Sequence, residues 1–254
     1  MGPILLGLDH VRACTGRYSA AWSGMQQTIA WLDSVEQVRY RLIAYDYIAY
    51  LLLDPGLPEA ALEEMEHARE LARSTGIEFW HPNIEAHAAI ASTRLGARDG
   101  LPGLERILEQ TLRTAERYLS LRCLEAIAEA ALAQGKASRA LAAAGELFEL
   151  AEANGLREVS ANARRWRGEA LAAANHYDDA MGELTEAAAL AREVGRVRLR
   201  WDVAHARARL HDLRGETRLA QLERAAAKAS GTAMAESAAT AGLAARLQPD
   251  DAGG

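Results

Sequence analysis

The amino-acid sequence predicts an all-α solenoid of helical hairpins repeating about every 40 residues, and three observations carry that prediction. First, Gly16, Gly56, Gly76, Gly96, Gly135, Gly155, Gly195 and Gly215 are spaced by about 20 residues or multiples of it, and Asn175 fills one gap. Second, apolar residues between these marks recur at helical spacing. Val159, Ala163, Trp166, Ala170 and Ala173 share one face, and Tyr177, Ala180, Leu184, Ala187 and Ala191 share the next. Third, hydrophobic residues make up 50% of the chain but aromatics only 6%, a balance that suits closely packed helices better than strands.

A half-unit of about 20 residues holds one helix of about four to five turns and a short connection, so two half-units make a hairpin. Residues 4–14 form a short stub, and 17–34 a fuller helix. Residues 38–53 and 58–74 make the second hairpin around DPGLPEA, where Pro58 falls at a helix start and its missing N–H is tolerated. The third hairpin, 80–95 and 102–117, is irregular. Its loop ARDGLPG is longer, and Leu104 takes the place of a small residue. Residues 119–133 with 137–153, 157–173 with 177–193, and 197–213 with 217–229 complete about six hairpins. Ala21, Ala61, Ala140, Ala180 and Ala220 stand at matching places early in the second helices, where a small side chain lets paired helices approach. A last helix at 233–246 reads as a cap turning Glu236, Ser237, Thr240 and Arg246 outward, and 248–254 as a disordered tail. A single domain over 1–247 is expected. The apolar start ILLGL lacks a polar cap, so it either packs on a partner or continues a longer array upstream, the second being the preferred expectation.

Several function classes are disfavoured. The net charge of −6, with both signs interspersed, offers no basic stripe for nucleic acid. Arginine supplies nearly all the positive charge, Lys136 and Lys228 being the only lysines. Cys14 and Cys123 are far apart on apolar faces, which fits a reducing cytoplasm better than a disulfide framework. No window reaches the roughly 18–20 apolar residues that span a bilayer, and Asp9 spoils a signal peptide. The only Gly-Lys pair, Gly135-Lys136, lacks the glycine a phosphate loop needs five residues earlier, where Ala130 stands. His81 and His87 point to different helix faces, and no HExxH, CxxC or G-x-S-x-G pattern occurs. Asp202 and His205 share a helix face, as a surface pair would. No enzyme activity, metal or cofactor is expected.

With the frame in place, the residues resemble a tetratricopeptide repeat (TPR) array. Gly168 and Ala128 are the small residues midway through first helices, Tyr177 is the aromatic after a turn, and Ala180 and Ala187 are the small pair of a second helix. The period exceeds the usual 34 residues, which resembles the longer repeats of MalT/LuxR-type regulators and the C-terminal repeats of bacterial adenylate/guanylate cyclase and AAA ATPase-linked regulators. AREVGRVRLRWDVAHARARLHDLRG (191–215) is most similar to the latter. The resemblance implies a right-handed α-solenoid whose first helices line a concave surface. It also implies a partner that is a protein or peptide in that groove, or a regulator's ATPase or cyclase domain.

Two stripes fall on that expected surface. YRLIAYDYIAYLLL (40–53) holds Tyr40, Tyr45, Tyr47 and Tyr50, and the next hairpin opens with Phe79, Trp80, His81 and Asn83. Asp46, Tyr47, Tyr50, Trp80 and Asn83 therefore form one candidate binding set, since tyrosine and tryptophan join a large contact area to a polar tip. The competing reading is that these rings supply bulk between alanine-rich helices. The second set is Asn162, Arg165 and Glu169 with His205 and Arg209, a stripe suited to an acidic peptide or simply to solvent. The expected function is a non-enzymatic protein- or peptide-interaction module of a cytoplasmic bacterial signalling or transcription regulator. The alternative is a small-molecule effector-sensing module, with the ligand near Tyr45–Tyr50 and Trp80.

Overall fold

A computed structural model describes residues 2–77, 80–97, 100–114 and 117–239. Among them lie twelve α-helices and no strand. They group into two compact units, Met1–Leu95 with Thr232–Gly254, and Gly96–Gly231.

In the first unit, α1 (Gly2–Cys14), α2 (Tyr18–Ser34), α3 (Val38–Leu53), α4 (Pro58–Thr75) and α5 (His81–Arg94) pack each against the next. The first helices α1, α3 and α5 also touch in sequence. Apolar burial holds these pairs: Leu6, Leu32 and Ala44 form one core, and Leu42, Ala49, Met65, Ala68 and Ile84 another. Asp9 of α1 is buried beside Arg12, 2.6 Å away, and it rests on Gly24, where a Cβ would clash with its carboxylate. Burial pushes the Asp9 carboxyl above its usual range, against the pull of Arg12. The outer face of α1 leaves Ile4, Leu8 and Val11 exposed.

The second unit contains α6 (Gly100–Thr114), α7 (Arg117–Ala133), α8 (Ala137–Ala153), α9 (Arg157–Ala173), α10 (Tyr177–Val194), α11 (Val197–Leu213) and α12 (Thr217–Ala239) as far as Gly231. Neighbours again pack in order from α6 to α11, and α9 also touches α7 and α11. This sequential packing is that of a helical solenoid. The small residues expected at the hairpin crossings, Ala21, Ala61, Ala140, Ala180 and Ala220, are all completely buried, as is Leu104 in the irregular hairpin.

The turns explain the regular period. Every glycine of the spaced series has positive φ, and so does Asn175. At Gly155 the amide donates to the Glu152 carbonyl and Leu156 to Ala151, a reverse turn that satisfies the last carbonyls of α8. Glu36 has the same conformation (φ 54°) and closes α2 in the same way, so a non-glycine occupies a turn that the glycine series skips.

Polar contacts carry the same period. Tyr18 bonds Asp54 and Arg214 bonds Asp178, each pair 36 residues apart. Asn162 bonds Glu125 at a separation of 37, Arg209 meets Glu169 at 40, and His87 meets Asp46 at 41. Equivalent positions of successive hairpins thus face one another.

Some boundaries differ from expectation. The helix expected at 102–117 is Gly100–Thr114, because Pro102 sits in its first turn, where no intrahelical N–H bond is needed. The helix expected from 119 begins at Arg117. The separate helices expected at 217–229 and 233–246 are one continuous α12 over its described length. Gly231 is no turn residue there. It admits Trp201, whose Nε1 would lie 3.1 Å from a Cβ at that position. Phe79, Thr240, Arg246 and the tail 248–254 lie outside the described residues.

Candidate functional site

In the second unit, three first helices bring their polar residues into one continuous ladder. Arg122 and Glu125 stand on α7, Asn162, Arg165 and Glu169 on α9, and Arg209 on α11. Spacings of three and four residues put each helix's members on one face. Arg122 donates to Glu125 Oε2 (2.9 Å), and Asn162 Nδ2 donates to Glu125 Oε1 (2.6 Å). Arg165 Nε donates to Asn162 Oδ1 (3.0 Å) and its NH1 to Glu169 Oε1 (2.6 Å), while Arg209 meets the other Glu169 oxygen.

Of the two readings left open for this stripe, an acidic-peptide site or a solvated face, the full or partial burial of most of its members weighs against a simply solvated face. The Arg165 side chain is only 7% exposed, whereas that of Arg209 is 60% exposed. Arg165 also lies over the Trp166 ring, 3.5 Å from its centroid, adding a cation–π contact. Trp166 itself is buried. The ladder carries three guanidinium groups and two carboxylates, and its most exposed cation, Arg209, stands at one end.

His205 turns to Trp201 instead of the ladder. Its Nδ1–H donates to the Trp201 carbonyl (3.1 Å), and its ring packs on the Trp201 indole with centroids 4.1 Å apart. Asp202, expected to share a face with His205, accepts instead from Arg198 through both oxygens at 3.1 Å.

In the first unit the residues of the aromatic stripe divide by depth. Asp46, Tyr50 and Asn83 are buried, and Tyr47 is half-buried. Trp80 stands immediately before α5 and packs against the Leu42–Met65–Ile84 core. Asp46 Oδ1 lies 2.7 Å from Nε2 of His87, a fully buried histidine whose Nδ1 has no partner among the described residues. His10 of α1 meets the rings of Tyr50 and Tyr47 edge-on, with centroids 4.6 and 5.4 Å apart. Burial raises the Tyr47 phenol above its usual range, and the Asp46 charge raises it further.

Glu125, Arg122, His87 and His10 belong to these clusters, yet the sequence reading did not select them. The repeat period is the signal that finds the central two: Glu125 lies 37 residues before Asn162, and His87 lies 41 after Asp46. Among the described residues no group of three or more His, Cys, Asp or Glu is placed to hold a metal ion, and no helix is long and apolar enough to cross a membrane.

Compared with known proteins, the chain matches no family model and no curated relative.

Proposed function

We propose that the chain is a non-enzymatic protein- or peptide-interaction module, a right-handed TPR-like array of about six hairpins serving a bacterial signalling or transcription regulator. One observation carries this reading: a single hydrogen-bonded ladder crosses three successive first helices. Side chains fixed by one another lose little freedom when a partner docks, which is what a recognition surface needs. The exposed guanidinium of Arg209 suits an acidic segment, whether a free peptide or part of a regulator's ATPase or cyclase domain. Selection from a random peptide library displayed on phage tests the reading. Enrichment of acidic sequences is expected, and no enrichment, or enrichment without acidic residues, contradicts it.

A second reading, effector sensing, rests on the first unit. There a buried carboxylate–imidazole pair and three rings, His10, Tyr47 and Tyr50, gather, and the His87 Nδ1 has no partner among the described residues. Thermal-shift screening of metabolites and nucleotides separates the two. A metabolite that raises the melting temperature, alongside failed peptide selection, transfers the assignment to this cluster.

A further inference from the structure

We propose that the second unit binds a small organic anion, a carboxylate or phosphate carried on a short apolar body, in a cavity among α10, α11 and α12. The cavity, open on one side, offers about 440 Å³, within the range of small-molecule sites. Its floor is apolar because Ala191, Val203 and Ala204, all buried, leave room that larger side chains would fill. Its walls carry Arg192, Arg200 and Arg207 against the single carboxylate of Glu223.

Three guanidinium groups thus line the cavity against one carboxylate, whereas several arginines elsewhere in the unit have carboxylate partners. Arg157 pairs with Glu193, Arg196 with Glu158, and Arg164 and Arg167 both with Glu183. The Arg200 side chain has no ion-pair or hydrogen-bond partner among the described residues. Arg192 spends its Nε on the Ala188 carbonyl and meets no carboxylate among the described residues. Arg207 reaches Glu223 Oε1 at 3.1 Å, yet its own Nε is buried and lacks an acceptor among the described residues. A buried donor without an acceptor is costly, and an oxyanion supplies one. Planar guanidinium groups match carboxylate and phosphate oxygens in pairs, and Arg200 is exposed, open to an arriving anion. Inorganic phosphate would meet the charge and leave the alanine–valine floor uncovered.

Isothermal titration of the full chain with hexanoate, hexyl phosphate, hexanamide and inorganic phosphate tests the site. Saturable binding of hexanoate or hexyl phosphate is expected, and the stronger of the two identifies the headgroup. Hexanamide and inorganic phosphate bind at least about tenfold more weakly. Arg200→Gln weakens binding by about tenfold or more, Glu223→Gln tightens it by freeing Arg207, and Ala226→Leu, at an exposed lining position, blocks it. Circular dichroism shows whether each variant is folded, and the exposed Arg200 decides if the filled cavity disturbs the helix. The proposal is overturned if neither amphipathic anion saturates at millimolar concentration. It is also overturned if inorganic phosphate or hexanamide binds equally well, or if folded Arg200→Gln and Glu223→Gln variants bind like the parent.

Discussion

Gly168 of α9 lies so close to Leu184 of α10 that a Cβ at position 168 would stand 2.6 Å from the Leu184 Cγ and 3.2 Å from the Ala180 carbonyl oxygen. Alanine is the better helix former by about 1 kcal/mol, while overpacking costs about 1–3 kcal/mol. A branched carbon backed by main chain yields little, so the clash wins. Gly168→Ala is expected to lower stability by about 1–2 kcal/mol in urea unfolding. Adding Leu184→Ala opens space, so the double variant loses less than the sum of the singles. A Gly168→Ala variant as stable as the parent contradicts this packing.

Glu36 adopts a left-handed conformation that glycine occupies at most other turns of the series. That conformation costs an L-residue about 1 kcal/mol, and the exposed side chain has no buried contact to lose. Glu36→Gly is therefore expected to raise stability by about 1 kcal/mol. Asn175→Gly changes it less, since asparagine tolerates the same geometry and Asn175 accepts a bond from Tyr177 OH. Paired thermal melts check both, and a lower melting temperature for Glu36→Gly refutes the assignment of strain.

Helix order and turn positions were legible in the sequence because left-handed glycines and buried alanines are local demands of each hairpin. Glu36 escaped notice because nothing in a glutamate signals a turn; its conformation is imposed by the hairpins on either side. Gly231 lies in the break expected between 229 and 233, where α12 in fact runs on. Its lack of a side chain serves Trp201 across a helix interface, a contact with no local signature. The polar stripes were legible as faces of single helices. Their bonding was not, since partners such as Glu125 and His87 come from a neighbouring hairpin. Only counting one period along the chain brings those residues together.

Asp46 and His87 satisfy one another across α3 and α5. Asp46→Ala removes the acceptor and leaves both ring nitrogens buried without partners. The expected cost is about 2–4 kcal/mol. Asp46→Ala with His87→Ala should cost less than the two singles added, by about 1–3 kcal/mol. Chemical denaturation of the four proteins measures that coupling, and strictly additive losses show that the pair makes no joint contribution.

Burial pushes the Cys123 thiol up to about 12 from an ordinary 9.0, against a small opposing effect of Arg122. Half-buried Cys14 is expected to react with a thiol reagent in the native protein at pH 8, while Cys123 reacts only on unfolding. The sign of the pH effect follows. Above about pH 9 the unfolded chain gives up this proton and the folded chain keeps it, so stability falls as pH rises, by at most about 1.4 kcal/mol per unit. Cys123→Ala removes this part of the alkaline slope. Rapid labelling of both thiols in the folded state, or an unchanged slope, contradicts the burial.

The central claim is that the ladder across α7, α9 and α11 is a recognition surface, and Arg209 is its exposed end. The most direct measurement is the dissociation constant of a selected acidic peptide for the parent and for Arg209→Glu, by fluorescence anisotropy at low and at physiological salt. Reversing that charge is predicted to weaken binding by about tenfold or more at low salt, with the difference narrowing as salt screens it. Equal affinities for the parent and a folded Arg209→Glu variant at both salt concentrations would contradict the claim.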